Sequence, residues 1–294
     1  MNWLEALILG IVQGATEFLP VSSSGHLVLV SWWLGLDVPP LIYSVTVHLG
    51  TTTAILIYFW HDWWNLLQAG IHSLRSRNFN LEQNPQLKLL VFLIIGTIPA
   101  AILGILVADY FEEVFATPLL TSFNLFITAG LLIYGEWATR HHGALSANQL
   151  ENRATDEMSP ADEHPDLSWK DVLIIGSAQA MAIMPGISRS GSTIAAGMAR
   201  GLTRSSATRF SFLLATPIII AAGAKQALDL LTSDVVLADG METVLAIGYV
   251  SSAIVGYICI VLLLRLVRRY GFYGFAVYCV VFGMLSLGGV LVRG

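Results

Sequence analysis

The chain has 294 residues, 55% of them hydrophobic and only 12% charged, with a mean hydropathy of +0.69. That usage excludes a soluble globular domain and gives no basic surface for nucleic acid; it is the composition of a polytopic membrane protein. The formal charge of −5 matters less than how the charges divide between two membrane faces.

In chain order, the N-terminus carries Glu5 and no basic run, so it does not read as a cleavable signal. Residues 6–16 and 27–36 are apolar but too short to span, and between them lies the polar stretch "EFLPVSSSGHL" at 17–27. Segments 41–60, 89–108 and 118–135 lack Asp, Glu, Lys and Arg, and each has about the length a helix needs to cross ~30 Å of hydrocarbon. Residues 145–168, polar and acidic, read as a solvated linker that also holds His164. The short pattern then recurs, with apolar runs at 172–187 and 193–199 separated by "SRSGS". Residues 210–224 end at Lys225, which can snorkel outward and let the helix continue toward Leu231. Segments 243–264 and 272–292 complete six expected spans; Cys259 and Cys279 lie mid-segment and read as packing residues.

A shift of 166 places Gln13 on Gln179 and "VSSSG" (21–25) on "ISRSG" (187–191). A shift of 152 places "AILG" (101–104) on "AIVG" (253–256), Gly96 on Gly248 and Phe123 on Phe275. The two matches keep the same order, which points to duplication. The expected fold is therefore an all-α polytopic membrane protein with an inverted-topology repeat, six transmembrane helices and two re-entrant helical hairpins. Residues 1–144 form the first repeat, 145–168 the cytoplasmic linker and 169–294 the second repeat, in one membrane domain. An odd number of crossings per half requires the inversion. If the chain begins outside, the loops 61–88, 136–171, 200–209 and 265–271 face the cytoplasm. They hold Arg75, Arg77, Lys88, Arg140, Arg153, Lys170, Arg200, Arg204, Arg209, Arg265, Arg268 and Arg269, twelve of the fifteen basic residues. The other face keeps Lys225 and Arg293, with Asp109, Glu112, Glu113, Asp234, Asp239 and Glu242 near its helix ends.

Irregular backbone at membrane depth needs protein or a water-filled cavity to satisfy its polar groups, so the hairpin turns should line a cavity near the midplane. In the first, Gln13 and Glu17 share a helix face, Pro20 interrupts the helix, and Ser22, Ser23 and Ser24 cap the next one, with Gly25 and His26 in its first turn. In the second, Pro185 and Gly186 break the helix before Ser188, Arg189, Ser190, Gly191, Ser192 and Thr193. Two helix N-termini, a guanidinium and many hydroxyls describe an oxyanion site, best suited to phosphate on an amphiphile. Blander roles stand beside this one: a structural Glu17–Arg189 ion pair, serines that only permit close packing, and core roles for His26 and His48.

"QGATEFLPVSSSGHL" and "PGISRSGSTIAAG" resemble the two signature motifs of the undecaprenyl-diphosphate phosphatases of the bacitracin-resistance type. The resemblance covers the chain apart from the linker. It implies hydrolysis of undecaprenyl diphosphate to the monophosphate, recycling a lipid carrier for cell-wall glycans in the bacterial cytoplasmic (inner) membrane. By motif, the family's functional positions fall on Glu17, Ser23, His26 and Arg189 as catalytic residues. Ser22, Ser24, Gly25, Ser188, Ser190, Gly191, Ser192 and Thr193 then bind substrate phosphate, and Gln13 and His48 support. The resemblance also implies a divalent cation, Mg²⁺ or Ca²⁺; the role of Glu17 is open between metal ligand, proton acceptor and the group that orients His26. Gln13 stands where the family has Glu or Gln, and His48 where it often has Gln. Expected partners are the membrane and a polyprenyl diphosphate, with no nucleic acid; a homodimer is left open. Both termini are expected outside. The nucleophile is open between Ser23, His26 and water. The rival function is a lipid-phosphate transporter or flippase with the same midplane site; a lipid-binding protein is the third.

Overall fold

The computed structural model describes residues 1–37, 39–115, 117–143, 167–232 and 240–293. The expected linker lies outside them except for residues 167 and 168, and so do Asp234 and Asp239. Eleven helices and no strand occupy the described residues. They are α1 (Trp3–Phe18), α2 (Ser23–Leu34), α3 (Leu41–Tyr58), α4 (Trp60–Ser76), α5 (Pro85–Phe115) and α6 (Pro118–Gly143), then α7 (Trp169–Met181), α8 (Arg189–Ala199), α9 (Arg204–Thr232), α10 (Met241–Arg269) and α11 (Tyr273–Arg293).

Helices α3, α5, α6, α9, α10 and α11 are long and apolar enough to cross a membrane, and they coincide with the six expected spans. The chain is a multi-pass, all-helical membrane protein. The other helices of the two hairpins have 16, 12, 13 and 11 residues. At about 1.5 Å per residue none of them covers ~30 Å. Both hairpins begin with a capping box, Asn2 with Glu5 and Ser168 with Asp171, which satisfies amides that the helix itself leaves free.

Two stretches depart from expectation. The loop foreseen over 61–88 contains α4, because its apolar residues recur at helical spacing: Trp64, Leu67, Ile71 and Leu74 form one exposed stripe, suited to lying in the membrane interface. The apolar run 172–187 is helical only to Met181, four residues before Pro185. Pro185 disfavours helical backbone at the residue before it, and three-residue turns take over, from Ala182 N–H to Gln179 O (3.2 Å) and from Ile183 N–H to Ala180 O (3.3 Å).

Packing is interlocked. Helix α1 lies on α10 as α7 lies on α5; α3 lies on α10 as α9 lies on α5; α3 meets α9 and α6 meets α11. Two close approaches match too: a Cβ on Gly10 would fall 2.9 Å from Gly248 O, and one on Gly176 would fall 3.1 Å from Gly96 Cα. Only glycine allows these helix axes to come so close.

Ion pairs gather the basic segments at one face. Arg204 grips the fully buried Glu136 through Nε (2.8 Å) and Nη2 (2.6 Å), and Glu136 Oε1 also accepts the Phe272 amide at 2.8 Å. Arg140 stacks on Tyr273, Arg200 pairs with Asp171, and Arg209 pairs with Asp62. Partial burial alone would raise the Asp171 carboxyl, but the Ser168 hydroxyl and amide and the Arg200 guanidinium outweigh it and hold the group below the usual carboxylate range. At the opposite end, Arg293 stacks on Trp32 and Trp33, fastening the end of α11 to the end of α2. The two cysteines are buried and free.

Candidate functional site

The two hairpin turns meet, and Glu17 stands where they meet. It is 5% exposed, near the end of α1. Its Oε2 accepts from Gln13 Nε2 at 2.8 Å, the i, i+4 contact their spacing predicts, and also from the Ser23 hydroxyl. Its Oε1 accepts from Arg189 Nη2. Ser23 and Arg189 are the first residues of α2 and α8, and they coincide under the 166 shift. Equivalent positions in the two hairpins thus converge on one carboxylate from opposite sides.

The caps behind them are equivalent as well. Ser22 Oγ accepts the Gly25 amide at 3.3 Å, and Ser188 Oγ accepts the Gly191 amide at 3.0 Å. The first amides of each helix have no intrahelical acceptor, and the positive ends of both helix dipoles point into the same space. Arg189 Nη1 is buried with no protein partner, so half of the guanidinium is spare.

That space is a cavity of about 400 Å³. Glu17, Ser22, Ser23, Ser24, His48, Ser188 and Arg189 supply its polar wall, and Leu27, Val28, Leu41, Val45, Ile218 and Ile219 its apolar wall. His48 Nδ1 donates to Ser44 O at 2.7 Å, and its Nε2 lies 3.6 Å from Glu17 Oε2. The cavity follows the first half of α3 and the later half of α9. Toward the basic face the bundle is filled by rings: Phe18 edge-on to Phe212 (5.3 Å), Phe212 against Phe59 (6.4 Å), and Arg209 on Phe59 beside Asp62.

Several expected site residues do not reach this cavity. His26 is 3% exposed and turned toward α11, where Phe282 stacks on it at 4.8 Å. Its Nδ1 faces the Ser22 carbonyl at 2.7 Å; a carbonyl only accepts, so Nδ1 carries the proton and Nε2 (2.8 Å) accepts from the Tyr278 hydroxyl. Both nitrogens are committed, which corrects the expectation that His26 faces the substrate. It instead steadies Ser22, whose backbone has the rare φ of +74°. Gly25 packs against Gly186, Gly191 serves the cap, and Ser190 Oγ donates to Leu19 O at 3.2 Å, joining the turns. Thr193 bonds Ser211 Oγ on α9 at 2.6 Å, and the Ser192 hydroxyl is buried without a hydrogen-bond partner. Sequence reasoning missed Tyr278, Asn124 and Thr128; the last two sit four apart in an apolar span, a spacing that places two polar groups on one face.

The profile described as "Bacitracin resistance protein BacA" matches residues 6–285. A protein named undecaprenyl-diphosphatase from Desulforudis audaxviator is 40% identical over 294 residues, covering all of both chains. One of the same name from Methanosphaera stadtmanae is 39% identical over 98% of each chain, and undecaprenyl-diphosphatase 2 of Stutzerimonas stutzeri is 40% identical over 98% of each.

Proposed function

Because the chain belongs to the BacA family of bacitracin resistance proteins, we propose that it hydrolyses undecaprenyl diphosphate to undecaprenyl phosphate and phosphate, recycling a lipid carrier. The observation that carries this reading is the convergence of Ser23 and Arg189 on Glu17 beside an apolar-walled cavity. Lipid lies along the apolar wall, and the diphosphate reaches the two helix starts. Arg189 turns its spare Nη1 to the terminal phosphate, joined by the first amides of α2 and α8, and these donors hold the charge that builds on the phosphoryl oxygens.

Glu17 is the base already hydrogen-bonded to a hydroxyl. The Ser23 proton passes to Glu17 as Oγ forms a bond to the terminal phosphorus; the bond from phosphorus to the bridging oxygen breaks, and polyprenyl phosphate leaves. Water then cleaves the phosphoserine, and Glu17 returns the proton to Ser23. Gln13 holds the carboxylate in place, and His26 holds the turn that presents Ser23.

Among the described residues no three His, Cys, Asp or Glu side chains cluster as a metal site. Glu17 is the carboxylate on the cavity wall, with His48 beside it, so the residues fit a cation that draws most of its oxygens from the diphosphate. When bound, Mg²⁺ or Ca²⁺ would neutralise charge on those oxygens.

We also read the interlocked packing as two inverted repeats, 1–144 and 169–294, and place the basic face in the cytoplasm. Both termini and the open end of the cavity then face outward from the inner membrane, where the spent carrier is released. The relatives' names describe a diphosphatase, and nothing in the site favours the transport alternative. The test is phosphate release from a polyprenyl diphosphate by purified protein in detergent, with Mg²⁺ or Ca²⁺. Release that follows protein concentration is expected; lipid binding without release under every metal condition would overturn the reading.

A further inference from the structure

Arg189 acts at the start of α8, yet the turn that delivers it is built by a different helix. Between Met181 and Ser188 the backbone is irregular, with Gly186 at φ +93°. Such a turn inside a bundle must find partners for its own carbonyls and amides, since each one left unpaired in an apolar surrounding loses its hydrogen bond to water with nothing in exchange. Helix α6 supplies three. Asn124 Nδ2 donates to Pro185 O at 2.7 Å. One helical turn later the Thr128 hydroxyl donates to Gly186 O at 2.9 Å and accepts the Ser188 amide at 2.9 Å. Thr128 is fully buried and Asn124 is 8% exposed, so water does not substitute for either.

We propose that Thr128 is a positioning residue for Arg189. Its hydroxyl is a two-way bridge across residues 186–188: it fixes the carbonyl before the cap and the amide of the cap itself. Ser188 then caps α8 through Gly191, and the next residue is Arg189, whose Nη2 meets Glu17. The chain of contacts runs from α6 to the guanidinium with one residue between the bridge and the reacting group. Valine has the shape of threonine and neither bond; serine keeps both. Losing the bridge frees one donor and one acceptor, and the turn relaxes to satisfy them. A shift of ~1 Å at a group that stabilises a transition state can cost roughly 10²-fold.

This inference rests on the hydrolase reading, and its test separates the two. Phosphate release is measured for Thr128→Val, Thr128→Cys and Thr128→Ser, per folded protein, with kcat and KM resolved. The expected order of kcat is Ser above Cys above Val, with Val reduced ~10- to 100-fold and KM little moved, because the lipid still meets the same apolar wall. In a cycle with Arg189→Lys, the Val substitution should cost far less than it does beside Arg189, since the two act through one contact. Equal kcat for Ser and Cys, or additive costs in the cycle, would overturn the proposal, and the Ser–Cys comparison stands even where the Val variant does not fold. A second readout needs no catalysis: hydrogen exchange of the segment 185–190, followed by mass spectrometry, should be faster in the Cys variant than in the Ser variant. Unchanged exchange overturns the proposal whether or not lipid is hydrolysed, whereas silent wild-type enzyme with altered exchange overturns only the hydrolase reading.

Discussion

The two hairpin turns share a backbone plan and divide the chemistry. Each ends a short helix, passes a proline, and restarts on a serine cap at equivalent positions, Ser22 and Ser188. They differ where it counts: Glu17 in the first corresponds to Ile183 in the second, and Ser23 corresponds to Arg189. Two copies of the first turn would set two carboxylates against each other in one buried site; two copies of the second would leave two guanidinium groups without a counter-charge. One of each gives a neutral pair that still exposes two positive helix ends to an anion. Their supports differ as well. The first turn is braced by its own His26, which leans on Tyr278 of α11, and the second by Asn124 and Thr128 of α6.

Abolishing the division should have the largest effect. Arg189→Ala and Glu17→Ala should each reduce phosphate release at least 10²- to 10³-fold, the scale for losing one preorganised charge partner, measured under saturating lipid. Making the turns alike by Ile183→Glu should come next. A second carboxylate on the cavity wall repels the diphosphate, so KM should rise by about tenfold or more, the size of a ~1.4 kcal/mol loss, and the rise should shrink in high salt. Loosening one brace is milder: Tyr278→Phe removes one hydrogen bond worth ~1 kcal/mol from His26 and should lower kcat roughly fivefold without changing KM. The smallest effect lies outside the site. Asp171→Asn weakens the capping box of α7 and its ion pair with Arg200, and should lower thermal stability by ~1 kcal/mol with turnover intact at assay temperature. The Asp171 carboxyl is depressed in the folded protein, so its contribution is fully present above about pH 4, the ordinary aspartate value, and is lost as pH falls through the lower folded value. The difference between wild-type and Asn melting temperatures should therefore close in acid.

Much of this was legible in the sequence because it follows from length and local chemistry. Five of the six spans declare themselves by uninterrupted apolar runs and the sixth by a shorter run that ends at Lys225, and the 166 shift already aligns the two residues that meet on Glu17. What stayed hidden depends on which side of a helix faces what. Helix α2 is apolar nearly all round, so nothing local says that Ser23 looks into the cavity while His26, three residues on, looks toward α11. Thr128 gives no motif, since a threonine in an apolar helix most often bonds its own backbone, as Thr46, Thr97 and Thr139 do here. Helix α4 was masked by its charged and polar residues, which read as a loop until its apolar stripe is counted.

The ring cluster of Phe18, Phe59 and Phe212, closed by Arg209 and Asp62, has an electrical consequence. A wet cavity that penetrates partway through a bilayer confines most of the membrane voltage to whatever remains solid beneath it. Moving one elementary charge through 100 mV is worth ~2.3 kcal/mol, so an unsealed path past Glu17 and Arg189 would carry protons continuously. An aromatic plug whose guanidinium is already paired with Asp62 would act as an insulator beneath the cavity, leaving substrate charge to come and go on one side only.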